Sequence, residues 1–126
     1  SDLNSVSGDL AVVVIGEDPY TEFFGDKDNL DLLKEDIDTI NKLKNKGYKV
    51  FVLLISGRPM NVADHIDEWD GFAAIWLPGS EGDGVSDILF GDYPTTGKLP
   101  YPWPIQAEKG ANAQISDLLF DIGFGL

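Results

Sequence analysis

The chain has 126 residues, no cysteine, and 22 acidic against 9 basic side chains, for a net charge of −13. That length fits one domain with a real core, needing no disulfide or metal staple. The charge argues against nucleic acid and anionic membrane as partners, and the missing cysteine excludes disulfides, thiolate metal sites and a cysteine nucleophile.

Residues Ser1 to Asp9 are polar and aperiodic and read as a linker or tail, with the domain itself over 10–126. The chain starts at Ser1, which suits a processed protein or a piece of a longer one. No stretch reaches the roughly 20 apolar residues needed to span a bilayer. The first apolar run, Leu10 to Ile15, is rich in β-branched residues and apolar on both faces. It therefore reads as a strand central in a parallel sheet. It breaks into Gly16-Glu17-Asp18-Pro19-Tyr20-Thr21-Glu22-Phe23-Phe24-Gly25-Asp26, an acidic loop at the strand's carboxyl end, where open α/β sheets bind ligands.

Leu30, Leu33, Ile37, Ile40 and Leu43 recur at helical spacing and predict a helix over Leu30 to Lys46, with Gly47 at the C-cap. Its acidic residues come early and its lysines late, complementing the helix dipole. Val50 to Ile55 is a second strand, stopped by Ser56-Gly57-Arg58-Pro59. A short helical stretch follows from Met60 to about Ile66, then a turn, then a third apolar run from Phe72 to Leu77 stopped by Pro78-Gly79-Ser80. Glu81 to Phe90 reads as a helix ended by Gly91. From Asp92 to Pro104 four prolines and three aromatics predict an extended arm, and Ile115 to Phe120 a last turn or two on the core.

Alternating strands and helices predict right-handed crossovers and a mostly parallel sheet, a three-layer α/β/α sandwich of flavodoxin-like type. Three strands are few beside the usual 4 to 6 or so, so further strands are expected upstream or within Asp92 to Pro104. If all three run parallel, the loops Glu17–Gly25, Ser56–Pro59 and Pro78–Glu81 emerge at one edge. Glu17, Asp18, Tyr20, Glu22, Arg58, Ser80 and Glu81 then share one surface.

Glu17 and Glu22 can do general acid/base work, or merely belong to a solvated acidic loop. Phe23 and Phe24 supply the apolar surroundings that favour a protonated acid. Arg58, the one arginine, either binds substrate or forms an ion pair with Glu17 or Glu81. The glycines at 79, 82 and 84 match neither phosphate-binding fingerprint and read as a strand-to-helix turn. His65 lacks a nearby nucleophile and reads as a helix-end or surface residue. Trp69, Trp76 and Trp103 either stack on sugar or pack the core.

The blocks Val14-Ile15-Gly16-Glu17-Asp18-Pro19-Tyr20-Thr21-Glu22, Leu54-Ile55-Ser56-Gly57-Arg58-Pro59 and Trp76-Leu77-Pro78-Gly79-Ser80-Glu81-Gly82 resemble glycoside hydrolase family 3, the β-glucosidase and exo-β-glucanase type. Leu89-Phe90-Gly91-Asp92-Tyr93, Thr96-Gly97-Lys98-Leu99-Pro100 with Trp103-Pro104, and Leu119-Phe120 with Gly123-Phe124-Gly125-Leu126 continue the match in family order. The resemblance implies the later part of that family's second, α/β sandwich domain, lacking the (β/α)8 barrel that carries an aspartate nucleophile. It further implies a retaining mechanism on β-glucosides or β-glucans, with Glu22 as acid/base and Glu17 as the fallback. Tyr20 and Arg58 are expected as substrate contacts, no cofactor or metal is required, and the setting implied is secreted or periplasmic. Without the barrel the chain is expected to be inactive. Competing readings are a non-catalytic sugar- or protein-binding module of the same fold, and a flavodoxin-like or receiver-like signalling domain.

Overall fold

The computed structural model describes residues 8–112 and 114–125. Most of the linker read over residues 1–9 lies outside them. Three strands, β1 (Leu10–Gly16), β2 (Lys49–Ile55) and β3 (Gly71–Trp76), form a parallel sheet in the order β1-β2-β3. Between β1 and β2 runs helix α1 (Lys34–Asn45), and helix α2 (Gly82–Phe90) follows β3. The chain is thus α/β with a parallel sheet, as expected.

The core lies on one face of the sheet. Ile15, Val50, Val52 and Leu54 meet Ile40 and Leu43 of α1, together with Met60, Val62, Trp103 and Ala107 from the connections. Burying such side chains contributes about 1.5–3 kcal/mol each. The opposite face of β1 is open: Leu10, Val12 and Val14 are 58%, 48% and 55% exposed. Among the described residues β1 lies at the edge of the sheet and β2 in the middle, against the expectation that the first strand is central. An apolar run on both faces cannot distinguish a central strand from an edge strand whose outer face has no cover among the described residues.

Helix α1 starts four residues later than its apolar spacing predicts. Upstream, the Asp31 N–H donates to the Asn29 side chain at 2.7 Å, a local turn that competes with helix. The Leu30 N–H goes instead to Glu108, and Asp31 bridges to Asn61. At the far end Gly47 takes φ 90° and its N–H donates to the Lys44 carbonyl at 2.8 Å, the C-terminal role expected of it. Gly91 closes α2 in the same left-handed conformation. The helical stretch expected from Met60 is only a single 3-10 turn at Ile66–Glu68.

The proline-rich arm forms no helix, and a short strand does lie at its end, one of the expected places for a further strand, but outside the main sheet. β4 (Trp103–Pro104) pairs antiparallel with β5 (Leu118–Phe120), making a separate two-stranded ribbon. Ile115 to Phe120 is accordingly a 3-10 turn followed by a strand, and the arm does not widen the main sheet. Trp103 is 1% exposed and its indole N–H donates to the Met60 carbonyl at 3.0 Å, which locks the ribbon onto the core. Trp69 packs beside it through Phe72 and Trp76 lies directly against it, so the tryptophans serve the interior.

Candidate active-site rim

Because the strands run parallel, the loops after β1 and β2 leave the sheet side by side. The Glu17 N–H extends the ladder by donating to the Ile55 carbonyl at 3.1 Å, and Ser56 N–H donates to Trp76 at 3.2 Å. Gly16 is needed at this junction: a Cβ there would collide with the Ile55 carbonyl.

Glu17 sits at the centre of a charged cluster, with only 4% of its side chain exposed. Its Oε1 accepts from Arg58 Nη2 at 2.7 Å and from Nε at 3.2 Å, and Lys27 Nζ lies 3.8 Å away. Its Oε2 accepts from the Tyr20 hydroxyl at 3.2 Å. The guanidinium carbon of Arg58 lies 4.9 Å from the centre of the Tyr20 ring, a cation–π contact. The bond to Glu17 raises the Arg58 pKa against a smaller opposing effect of burial. Burial, and then the Glu17 charge, raise the Tyr20 phenol. Of the two partners left open for Arg58, the structure selects Glu17; Glu81 instead accepts from Ser80 Oγ at 3.1 Å. Ser56, 1% exposed, donates to the Arg58 carbonyl at 2.6 Å and fixes that loop.

Glu22 lies beyond this cluster on an exposed turn. Gly25 N–H donates to Thr21 at 3.1 Å and Asp26 N–H to Phe23 at 3.2 Å. No hydrogen bond or ion pair engages the Glu22 carboxylate among the described residues. Phe23 and Phe24 beside it are 80% and 86% exposed, and Phe23 takes φ 68°. Along the same loop, Asp18, Tyr20, Phe24 and Lys27 border an open hollow of about 530 Å³. His65 stands away from this cluster, stacked on Trp69 with 6.4 Å between ring centres. No cluster of three or more metal-ligating side chains occurs among the described residues.

A second polar network, centred on Asn61, carried no local signature. Asn61 donates through Nδ2 to Asp31 at 2.8 Å and Glu108 at 2.7 Å, and its Oδ1 accepts from Ala107 N–H at 2.7 Å. It ties the segment before α1 to the arm.

Residues 4–126 match the glycosyl hydrolase family 3 C-terminal domain. The chain belongs to that family. It is 32% identical over 98 residues to the periplasmic beta-glucosidase of Salmonella typhimurium, covering 76% of this chain and 13% of that protein. Against the xylan 1,4-beta-xylosidase of Xylanibacter ruminicola it is 30% identical over 114 residues, or 81% of this chain and 13% of the relative. Among solved structures, the exo-1,3/1,4-beta-glucanase of a Pseudoalteromonas species superposes with a TM-score of 0.84 at 38% identity, over 100% of this chain and 18% of that one. Its Q683A mutant gives 0.85 at 39% identity, over 97% and 22%. This family 3 domain therefore spans about one-eighth to one-fifth of the proteins it matches, and the relatives include glucosidases, a xylosidase and a glucanase.

Proposed function

We propose that this domain contributes the acid/base carboxylate, Glu22, to a retaining β-glycosidase acting on β-glucosides or β-glucans, with the aspartate nucleophile on a (β/α)8 barrel domain. The observation that carries the reading is the division of labour between the loop's two glutamates. Both oxygens of Glu17 are occupied by Arg58 and Tyr20, whereas Glu22 stands on the exposed turn, open to an incoming group. Tyr20 and Arg58, on the same rim, are assigned as substrate contacts through the parts of their side chains that remain open.

In the first step Glu22 gives its proton to the departing glycosidic oxygen while the barrel aspartate attacks the anomeric carbon. In the second, Glu22 takes a proton from the water that releases the sugar. The two carboxyl groups stand about 5–5.5 Å apart in such a site. The chain alone, lacking the nucleophile, has no hydrolase activity on this reading.

Glu22→Gln in the enzyme that contains this domain tests it. The kcat/KM for glycosides with poor leaving groups is expected to fall by about 10²–10⁴-fold and for dinitrophenyl glycosides much less, while azide restores turnover of the dinitrophenyl substrate as the β-glycosyl azide. Near-normal hydrolysis of a disaccharide by the variant would reject the assignment.

A further inference from the structure

The turn bearing Glu22 is closed by two backbone hydrogen bonds of its own, from Gly25 to Thr21 and from Asp26 to Phe23, but these do not fix it against the sheet. Phe23 occupies the left-handed region, a conformation costing about 1–2 kcal/mol for a side chain of its kind, and neither phenylalanine ring is buried enough to offset that. Support comes from behind. The Tyr20 ring lies so close against Gly25 that a Cβ at position 25 would run into it, and a Cβ at position 57 would crowd the Tyr20 hydroxyl. Tyr20 is held in turn by its bond to Glu17 and by the guanidinium over its ring. Arg58 is fixed by Glu17 and, through its own carbonyl, by buried Ser56. A continuous chain of contacts thus runs from the end of β2 through Arg58, Glu17 and Tyr20 to the hinge of the turn.

The geometry points to Glu17, Arg58 and Tyr20 as a positioning unit that fixes the Glu22 turn against the sheet, with Glu17 acting through the turn and not on the sugar. This rests on the reading of Glu22 as the acid/base. A proton donor is effective only within hydrogen-bond reach of its target atom, and a displacement of about 1 Å can cost a factor of about 10². Glu17→Gln keeps the shape of the side chain but removes the charge that attracts Arg58, so the turn loses its anchor while the rim keeps its surface.

The experiment is a leaving-group series in the enzyme containing this domain, comparing wild type, Glu17→Gln, Glu22→Gln and the double variant on dinitrophenyl β-glucoside and on cellobiose. For Glu17→Gln, kcat/KM on cellobiose is expected to fall by about 10–100-fold, carried by kcat, and on the dinitrophenyl substrate by less than about threefold. In the Glu22→Gln background the same change is expected to cost at most about twofold on cellobiose, because a missing acid cannot be misplaced. Equal losses on both substrates, or losses that multiply in the double variant, would overturn the inference while leaving the role of Glu22 standing. A Glu22→Gln enzyme still active on cellobiose would overturn both. If Glu17→Gln melts well below wild type, Tyr20→Phe replaces it: only the hydroxyl donor is removed, a leaving-group-selective loss of about 3–10-fold carried by kcat is expected, and a kcat that falls equally on both substrates, or does not fall on cellobiose, refutes the unit.

Discussion

Asn61 offers the sharpest test of how the arm is braced against the core, because two substitutions there separate hydrogen bonding from charge. Asn61→Ala removes the acceptor for the Ala107 N–H, a backbone group on a residue only 7% exposed, and both donors to Asp31 and Glu108. Stranding a buried N–H costs about 1–3 kcal/mol, and the lost bonds to half-solvated carboxylates add about 0.5–1. A net loss of about 2–3 kcal/mol follows from those two contributions. With a urea slope of about 1.5 kcal/mol per M for a small domain, the midpoint drops by about 1.3–2 M. Asn61→Asp keeps the acceptor but turns the two donors into an anion facing Asp31 and Glu108. Each like-charge pair at that spacing costs about 1 kcal/mol in a water-like medium.

The pH dependence then runs in opposite directions. In the natural chain the Leu30 N–H, with help from Asn61, holds the Glu108 carboxyl below the usual carboxylate range. A folded pKa below the unfolded one stabilises above the unfolded value, and that stability is lost as pH falls through the folded pKa. In the aspartate variant the three crowded carboxylates resist ionisation, so stability is poor at neutral pH and improves on acidification. Urea midpoints by tryptophan fluorescence at several pH values between about 4 and 7.5, with hydrogen exchange at Ala107, provide the readout. An aspartate variant that tracks the natural chain at every pH, or an alanine variant within about 0.5 kcal/mol of it, would refute the network's role.

Two further outcomes are expected. Trp103→Phe, which leaves the Met60 carbonyl without its donor and a gap beside Phe72 and Trp76, lowers stability by about 2–3 kcal/mol in the same assay; a loss under about 1 kcal/mol would show the ribbon to be an appendage. Burial pushes the Asp36 carboxyl upward despite a bond from Gly16 N–H, so its ionisation opposes folding and the penalty grows as pH rises past the unfolded value. Asp36→Asn therefore raises the melting temperature at neutral pH and gives no gain at a pH below the unfolded carboxyl value of about 3.9, as thermal scans under the two conditions would reveal.

Features set by neighbours in sequence are legible in the sequence itself. The three strands, both long helices and their glycine stops follow from local periodicity and breakers, and the shared rim follows from parallel strands alone. Contacts between distant segments are not. Nothing near Asn61 announces Glu108, 47 positions away, and nothing in Trp103-Pro104 specifies pairing with Leu118–Phe120. The start of α1 departs from its periodicity because Leu30 is buried and tied to the arm, while its apolar character imitates a helical turn. Arg58 has two possible partners in sequence, and only the register of β1 on β2 decides for Glu17.

That register also accounts for where the domain stores conformational strain. Among the described residues, two non-glycine positions take positive φ: Phe23 in the loop after β1 and Trp76 at the end of β3, where the β2–β3 register shifts. Both lie at the carboxyl rim. Each is unfavourable in isolation by about 1–3 kcal/mol, and each is over-determined by its surroundings. Trp76 is held between Tyr101 and Trp103, at 5.7 and 6.0 Å between ring centres. Phe23 follows a turn anchored through Tyr20 to the Glu17–Arg58 pair. Strain confined to the rim, on a sheet whose interior is regular, is what a rigid support for an exposed carboxylate requires. The parallel core fixes the two loop origins, and the buried Glu17–Arg58 pair joins them.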